Sequence, residues 1–350
     1  MKRLTKKLCC LLLCAVLLAA SFAVGAGAVS VSEGEAALRR QWKRGEGPSA
    51  GGYSLDYSYF EPAAAANGKL PLFVFMAGVG EGTTPGEELT ANSFCNWSSE
   101  EFQARVTNAK GAYLLILRAP EPVYFDTCPT ASVHAAITDF AAKHNVDAQR
   151  IYVLGWCVGG NGAVRLVLEH PDVYAGVVAF SMRRSISAGE AAKLKNTAVW
   201  LLGCSNDSYS VYSMYTSPAW GNVKAAAADK AKARLTSCTS APDAGLLFNH
   251  HLWLLGEQDY AGAVGRYSNL KTEDAAGNTV GNPDFIAWLS ACTLYTPGAT
   301  PAGEDPAAQC DCDCHSNNPF TRILWFFRTL IWRITGNNAR RVCACGKKHW

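Results

Sequence analysis

The stretch Arg150-Ile151-Tyr152-Val153-Leu154-Gly155-Trp156-Cys157-Val158-Gly159-Gly160-Asn161-Gly162-Ala163 reads as strand, tight turn and helix. Ile151 to Leu154 is short and apolar with β-branched residues, as a buried strand requires. From Gly160 to His170, Val164, Leu166, Val167 and Leu168 supply an apolar face, with Arg165 and Glu169 one turn apart. Between the two lies Gly155-x-Cys157-x-Gly159. A nucleophile on a sharp turn needs small residues two positions either side, because larger side chains would collide with strand or helix. Such a turn lifts Cys157 to the top of a sheet. It also sets the Val158 N–H and a helix N-terminus beside the thiol, where an anion is stabilised. The alternative is a structural turn around an inert, buried cysteine, and a chain with 31 glycines can produce the pattern by chance.

Working outward, the flanking segments alternate strand and helix. Tyr53 to Phe60 alternates aromatic and polar residues, as an edge strand does, and Asn67-Gly68 is a turn. Leu72 to Met76 is wholly apolar, hence a central strand. It runs into Ala77-Gly78-Val79-Gly80-Glu81-Gly82, a loop whose Gly78 or Val79 N–H suits the second half of an oxyanion hole. Ser98 or Ser99 caps a helix towards Ala109. Ala112 to Leu117 is a strand, and Ala131 to His144 an amphipathic helix. Gly176 to Phe180 and Val199 to Gly203 are further strands, and Asp284 to Cys292 is a closing helix. This alternation predicts an α/β fold with a mostly parallel, doubly wound sheet.

The 350 residues allow one large domain or two small ones. Hydrophobic residues make up 49% and charged residues 17%, with a net charge of +3, so no nucleic-acid partner is implied. Residues 1–28 read as a signal peptide, with Lys2, Arg3, Lys6 and Lys7 before the apolar Leu8 to Ala23 and a small-residue site at Ala26-Gly27-Ala28. An uncleaved membrane anchor is the other reading. Residues 29–52 form a loose lead-in, 53–294 the main domain, 295–309 a Pro/Gly/Ala/Thr linker, and 310–350 a Cys/His-rich tail. In the tail, Cys310, Cys312, Cys314 and His315 lie in one cluster and Cys343, Cys345 and His349 in another. These thiolates and imidazoles suit a structural Zn²⁺, and interchain disulfides compete for them. Between the clusters, a Trp-rich segment with Arg322, Arg328 and Arg333 reads as an amphipathic helix for a membrane surface, the cell envelope or a protein partner.

Residues 53–294 resemble the secreted α/β-hydrolase esterases of the polyhydroxybutyrate-depolymerase, feruloyl-esterase and prolyl-oligopeptidase-like group. The resemblance rests on Arg150 through Gly162 with His170-Pro171-Asp172-x-Tyr174-Ala175, and on Phe75 through Glu81. It rests also on Val199-Trp200-Leu201-Leu202-Gly203-Cys204-x-x-Asp207 and Asn249-His250-x-x-Trp253. It implies a nucleophile–acid–histidine order of Cys157, Asp207 and His250, and His250 fits the spacing better than His251. The chain departs from that group at Cys157, where Ser is usual, at Ala77, where His is usual, and at Gly203-Cys204, where His-Gly is usual. Dienelactone-hydrolase-like enzymes also carry cysteine at the elbow. The expectation is a secreted, cell-surface-associated hydrolase of small-molecule or polysaccharide-linked carboxylic esters, with no cofactor for catalysis. The alternative is a catalytically disabled hydrolase that binds or scaffolds, with Cys157 locked, for instance in a disulfide with Cys204. The tail resembles a C-terminal element on assorted secreted proteins of anaerobic Gram-positive bacteria, which implies an envelope role.

Overall fold

The computed structural model describes residues 31–79, 89, 94–120, 122–241, 249, 250, 252, 267–281 and 283–295. The chain divides into Met1–Tyr295 and Thr296–Trp350, and every described residue lies in the first unit. The expected signal segment, Gly80 to Gly82, His251, Trp253 and the Cys/His-rich tail lie outside the described residues.

Among the described residues, nine strands form one sheet: β1 (Lys43–Glu46), β2 (Asp56–Phe60), β3 (Leu70–Met76), β4 (Tyr113–Leu117), β5 (Val146–Trp156), β6 (Gly176–Phe180), β7 (Ala198–Cys204), β8 (Ala233–Cys238) and β9 (Lys271–Asp274). Their order is β1-β2-β4-β3-β5-β6-β7-β8-β9. The six from β4 to β8 in that order are parallel, and β1, β2 and β9 run antiparallel at the flanks. Alternation along the strands sorts side chains onto two apolar layers. Val74, Met76, Val153, Val177, Val199 and Leu201 face one layer. Phe73, Phe75, Leu154, Trp156, Phe180, Trp200 and Leu202 face the other. Both layers are buried, which is why the central strands read as unbroken apolar runs.

Among the described residues, seven α-helices connect the strands: α1 (Val31–Arg39), α2 (Glu100–Gln103), α3 (Thr130–Lys143), α4 (Val158–Glu169), α5 (Ala188–Lys193), α6 (Thr216–Ala226) and α7 (Phe285–Ser290). Helices α3 to α6 bury Phe140, Leu166, Ala191 and Val223 in the first layer. Helix α7 buries Phe285, Ile286 and Leu289 in the second, and its N-terminus is capped by the Asp284 carboxylate on Ile286 and Ala287 N–H. The same carboxylate takes Arg105 bidentately, with both distances 2.8 Å.

Three expectations need correction. The segment 53–60 is not an edge: β2 pairs on both sides, and β1, drawn from the supposed loose lead-in, takes the edge. Its sequence Lys-Arg-Gly-Glu carries no hydrophobic alternation; backbone pairing with β2 places it, and Lys43 pairs with Glu61 at 2.7 Å. The helix capped by Ser99 stops at Gln103 rather than reaching Ala109, because the Gln103 side chain turns back to accept from Ala112 N–H and fixes the chain for β4. The strand before the elbow is longer than the apolar run Ile151 to Leu154, since β5 spans Val146–Trp156.

Candidate active site

Strand β5 ends at Trp156 and α4 begins at Val158, so Cys157 alone makes the turn. Its φ is 55° and its ψ −119°, a conformation L-residues seldom hold. Both sides of the turn are pinned: Cys157 N–H donates to Phe180 O at 2.9 Å, and Cys157 O accepts from Asn161 N–H at 3.1 Å. The flanking glycines are steric necessities. A Cβ on Gly155 would strike the Gly159 carbonyl, and one on Gly159 would strike the Met76 carbonyl at the end of β3. A Cβ on Gly78 would enter the Trp156 ring. The elbow and the candidate oxyanion strand end therefore approach backbone to backbone.

The Cys157 side chain is buried, with 7% exposure. The N–H groups of the first turn of α4, from Val158 on, have no acceptor within their helix and remain available to an anion. Gly78 is buried, and Val79 is exposed at the end of the described part of its loop.

The acid and histidine come together from distant parts of the chain. Asp207 lies in the turn after β7, where its own N–H donates to Cys204 O at 3.2 Å. Its Oδ1 accepts from the N–H groups of Tyr209 and Ser210 at 2.8 and 2.9 Å. Its Oδ2 lies 2.6 Å from His250 Nδ1. A carboxylate taking two backbone N–H bonds is an acceptor, so Nδ1 carries the hydrogen and Nε2 is left with its lone pair. Asp207 and His250 are both almost wholly buried, and Nε2 has no hydrogen-bond partner among the described residues.

Four residues that hold this histidine were not anticipated. The His250 carbonyl accepts from Trp156 Nε1 at 2.7 Å and from Ser181 Oγ at 2.8 Å, so the residue before Cys157 grips the histidine backbone. Asn249, at φ 65°, accepts from Ala241 N–H at 2.8 Å and donates to Asn206 O at 3.2 Å. Tyr209 sets its ring 5.6 Å from the imidazole, and Trp156 sets its own 5.1 Å away. Cys157, Ser181 and Asn249 all have positive φ without being glycine. Backbone strain of this kind collects where surrounding structure over-determines a functional geometry. Asn beside His250 was a usable signal, since Asn tolerates positive φ; Ser181 carried none.

The suggested disulfide between Cys157 and Cys204 is not formed. Cys204 is a free thiol donating to Thr239 O at 3.1 Å, and its register partner is Cys238. Strand β6 separates β5 from β7. Two strand spacings come to ~10 Å, beyond the roughly 7 Å that a disulfide can bridge between Cα atoms. Among the described residues no cluster of His, Cys, Asp and Glu could hold a metal.

The strand order, the parallel centre and the elbow now decide the architecture. The fold is that of an α/β-hydrolase. The Dienelactone hydrolase family model matches residues 126–214, a span that includes Cys157 and Asp207 and ends before His250. A protein named "Putative esterase NocK", from Nocardia uniformis subsp. tsuyamanensis, is 29% identical over 110 residues, 31% of this chain and 31% of its own length. The chain thus matches about a third of that relative. The crystal structure of a thermostable esterase superposes with a TM-score of 0.53 at 16% identity, covering 66% of this chain and 64% of that one. A structure described as a ferulic acid esterase gives a TM-score of 0.44 at 15% identity, over 56% of this chain and 90% of that one.

Proposed function

We propose that the protein hydrolyses carboxylic esters through Cys157, His250 and Asp207. The observation that carries this reading is the buried Asp207–His250 pair at 2.6 Å, whose Nε2 meets no partner among the described residues while its backbone is tied to the elbow through Trp156. Nε2 takes the Cys157 proton, and the thiolate attacks the ester carbonyl carbon. The carbonyl π electrons move onto oxygen, which the Val158 N–H and the Gly78 or Val79 N–H hold as an oxyanion. The tetrahedral adduct collapses, and the alkoxide leaves with the proton from the imidazolium. Water, deprotonated at Nε2, then attacks the thioester, releases the acid and restores the thiol. Asp207 keeps Nδ1–H in place and steadies the imidazolium throughout.

The esterase-type relatives support the reaction class, and cysteine at the elbow agrees with the dienelactone-hydrolase match over 126–214. Export belongs to the same proposal, supported by the basic and apolar pattern of residues 1–28. Substrates are small or polysaccharide-linked esters. The test is turnover of p-nitrophenyl acetate with mass spectrometry of rapidly quenched protein. An acetyl adduct on Cys157, absent in Cys157→Ala, is expected. Turnover that persists in Cys157→Ala would overturn the proposal, and no turnover by the parent protein would favour the disabled-scaffold alternative.

A further inference from the structure

Two buried thiols beside the site take no part in this chemistry. Cys204 ends β7 and Cys238 ends β8, and the register places them directly opposite one another. Parallel neighbours lie ~4.8 Å apart, inside the roughly 4.4–6.8 Å between Cα atoms that a disulfide spans. Both side chains belong to the same apolar layer, so they project to the same side of the sheet. The neighbouring Cys238 thiol, more than any other influence, draws the Cys204 thiol below its ordinary range, whereas Cys204 and burial push Cys238 up.

The pair lies under the turn that presents the acid. Ser205 N–H donates to Cys238 O at 2.9 Å, Asn206 N–H to Thr239 O at 3.1 Å, and Asp207 N–H to Cys204 O at 3.2 Å. The Asp207 turn is therefore tied to both cysteines through their backbones. The other register pairs of β7 and β8 contain no second cysteine pair.

We propose that Cys204 and Cys238 are an oxidisable pair that closes into a cross-strand disulfide, fastening β7 to β8 beneath Asp207. The oxidant is a disulfide of the glutathione class. The Cys204 thiolate attacks one of its sulfurs and displaces one glutathione thiolate, which takes up a proton. Deprotonated Cys238 then attacks Cys204 Sγ and displaces the second. Two protein thiols lose two protons and two electrons, and one oxidised glutathione becomes two reduced molecules. Both side chains are buried, so closure occurs while the sheet assembles rather than on the finished surface. This inference does not depend on the esterase reading.

The test is to refold reduced full-length protein across glutathione redox ratios, quench with iodoacetamide and map peptides without reduction. A parallel full-length sample is folded during expression in an oxidising compartment and mapped in the same way. The expected result is a peptide linked through Cys204 and Cys238 in the refolded, oxidised monomer. Its thermal midpoint is expected to lie about 5–15 °C above that of the reduced form, because the crosslink restricts the unfolded chain. In Cys238→Ala that difference disappears. Alkylated Cys204 and Cys238 at every ratio would overturn the proposal, as would Cys204 linked to any other cysteine. If refolding fails, the peptide map of that expressed sample decides between these outcomes. The readouts are a covalent link and a melting temperature, so an inactive enzyme leaves them intact.

Discussion

The elbow and the histidine loop lie side by side but are held by different physics. At the elbow, Gly155, Gly159 and Gly78 let backbone meet backbone and the Trp156 ring, and no other residue fits. Its geometry is enforced by excluded volume over a few consecutive residues. His250 is placed by single hydrogen bonds from residues far away in the chain: Asp207, Trp156 and Ser181. Steric enforcement fails all at once, whereas a set of hydrogen bonds fails in steps.

The largest effect expected at the elbow is loss of the fold. Gly159→Ala forces a methyl into the Met76 carbonyl, and displacing backbone between β3 and α4 exceeds the usual 1–3 kcal/mol of overpacking. Urea titration should show a loss of more than about 3 kcal/mol, or no soluble protein. A variant with an unchanged midpoint would mean the elbow is looser than its contacts indicate. In the histidine loop, Asp207→Asn should keep the fold and lower kcat about a thousand- to ten-thousand-fold, because an amide cannot enforce the Nδ1–H tautomer. Circular dichroism and turnover together would check this.

Smaller, stepwise losses should follow from the carbonyl clamp. Trp156→Phe removes one donor to His250 O and Ser181→Ala the other, each leaving one bond in place. Each net bond is about 0.5–1.5 kcal/mol, so kcat should fall roughly two- to tenfold singly. The double variant should fall by more than the product, since the carbonyl is then buried unsatisfied. A strictly multiplicative result would blunt the contrast with the elbow.

The same contrast accounts for what the sequence made legible. The strands β3, β4, β6 and β7 and the elbow announce themselves because their determinants are local: unbroken apolar runs and glycines at fixed spacing. Strand β8, Ala-Arg-Leu-Thr-Ser-Cys, and β9, Lys-Thr-Glu-Asp, have too few apolar residues to stand out, and backbone pairing fixes them instead, β8 between β7 and β9 and β9 at the edge. Asp207 and His250 could be picked as types in a pattern. Their junction, and the roles of Trp156 and Ser181, arise only when the sheet brings β5, β6 and β7 together. The Cys204–Cys238 register was equally hidden, because β8 was not anticipated.

The smallest expected effect lies away from both regions, between α3 and α4. His134 accepts or donates at Nδ1 with Tyr174 OH at 2.9 Å and stacks on His170 at 3.8 Å. Burial, and then the neighbouring His170, hold its imidazole below the ordinary 6.5. A depressed histidine is neutral in the fold while the unfolded chain takes up its proton near that ordinary value. The contribution is therefore present above about 6.5 and is lost as pH falls from there towards the folded value. The thermal midpoint should decline modestly from pH 7 to pH 5, and His134→Gln should flatten that decline without altering the elbow.

The central claim, that the two regions act as one nucleophilic centre, is tested most directly by the rate of iodoacetamide labelling across pH, with each site assigned by mass spectrometry. Cys128 and Cys292, each pushed up to about 11 by burial, serve as silent internal references. The account predicts that Cys157 labels rapidly well below the ordinary thiol pKa of about 8.5, that ester turnover is lost in parallel, and that Asp207→Asn slows both. Labelling of Cys157 only above that pH, at the same rate in Asp207→Asn, would mean that the His250–Asp207 pair does not activate it.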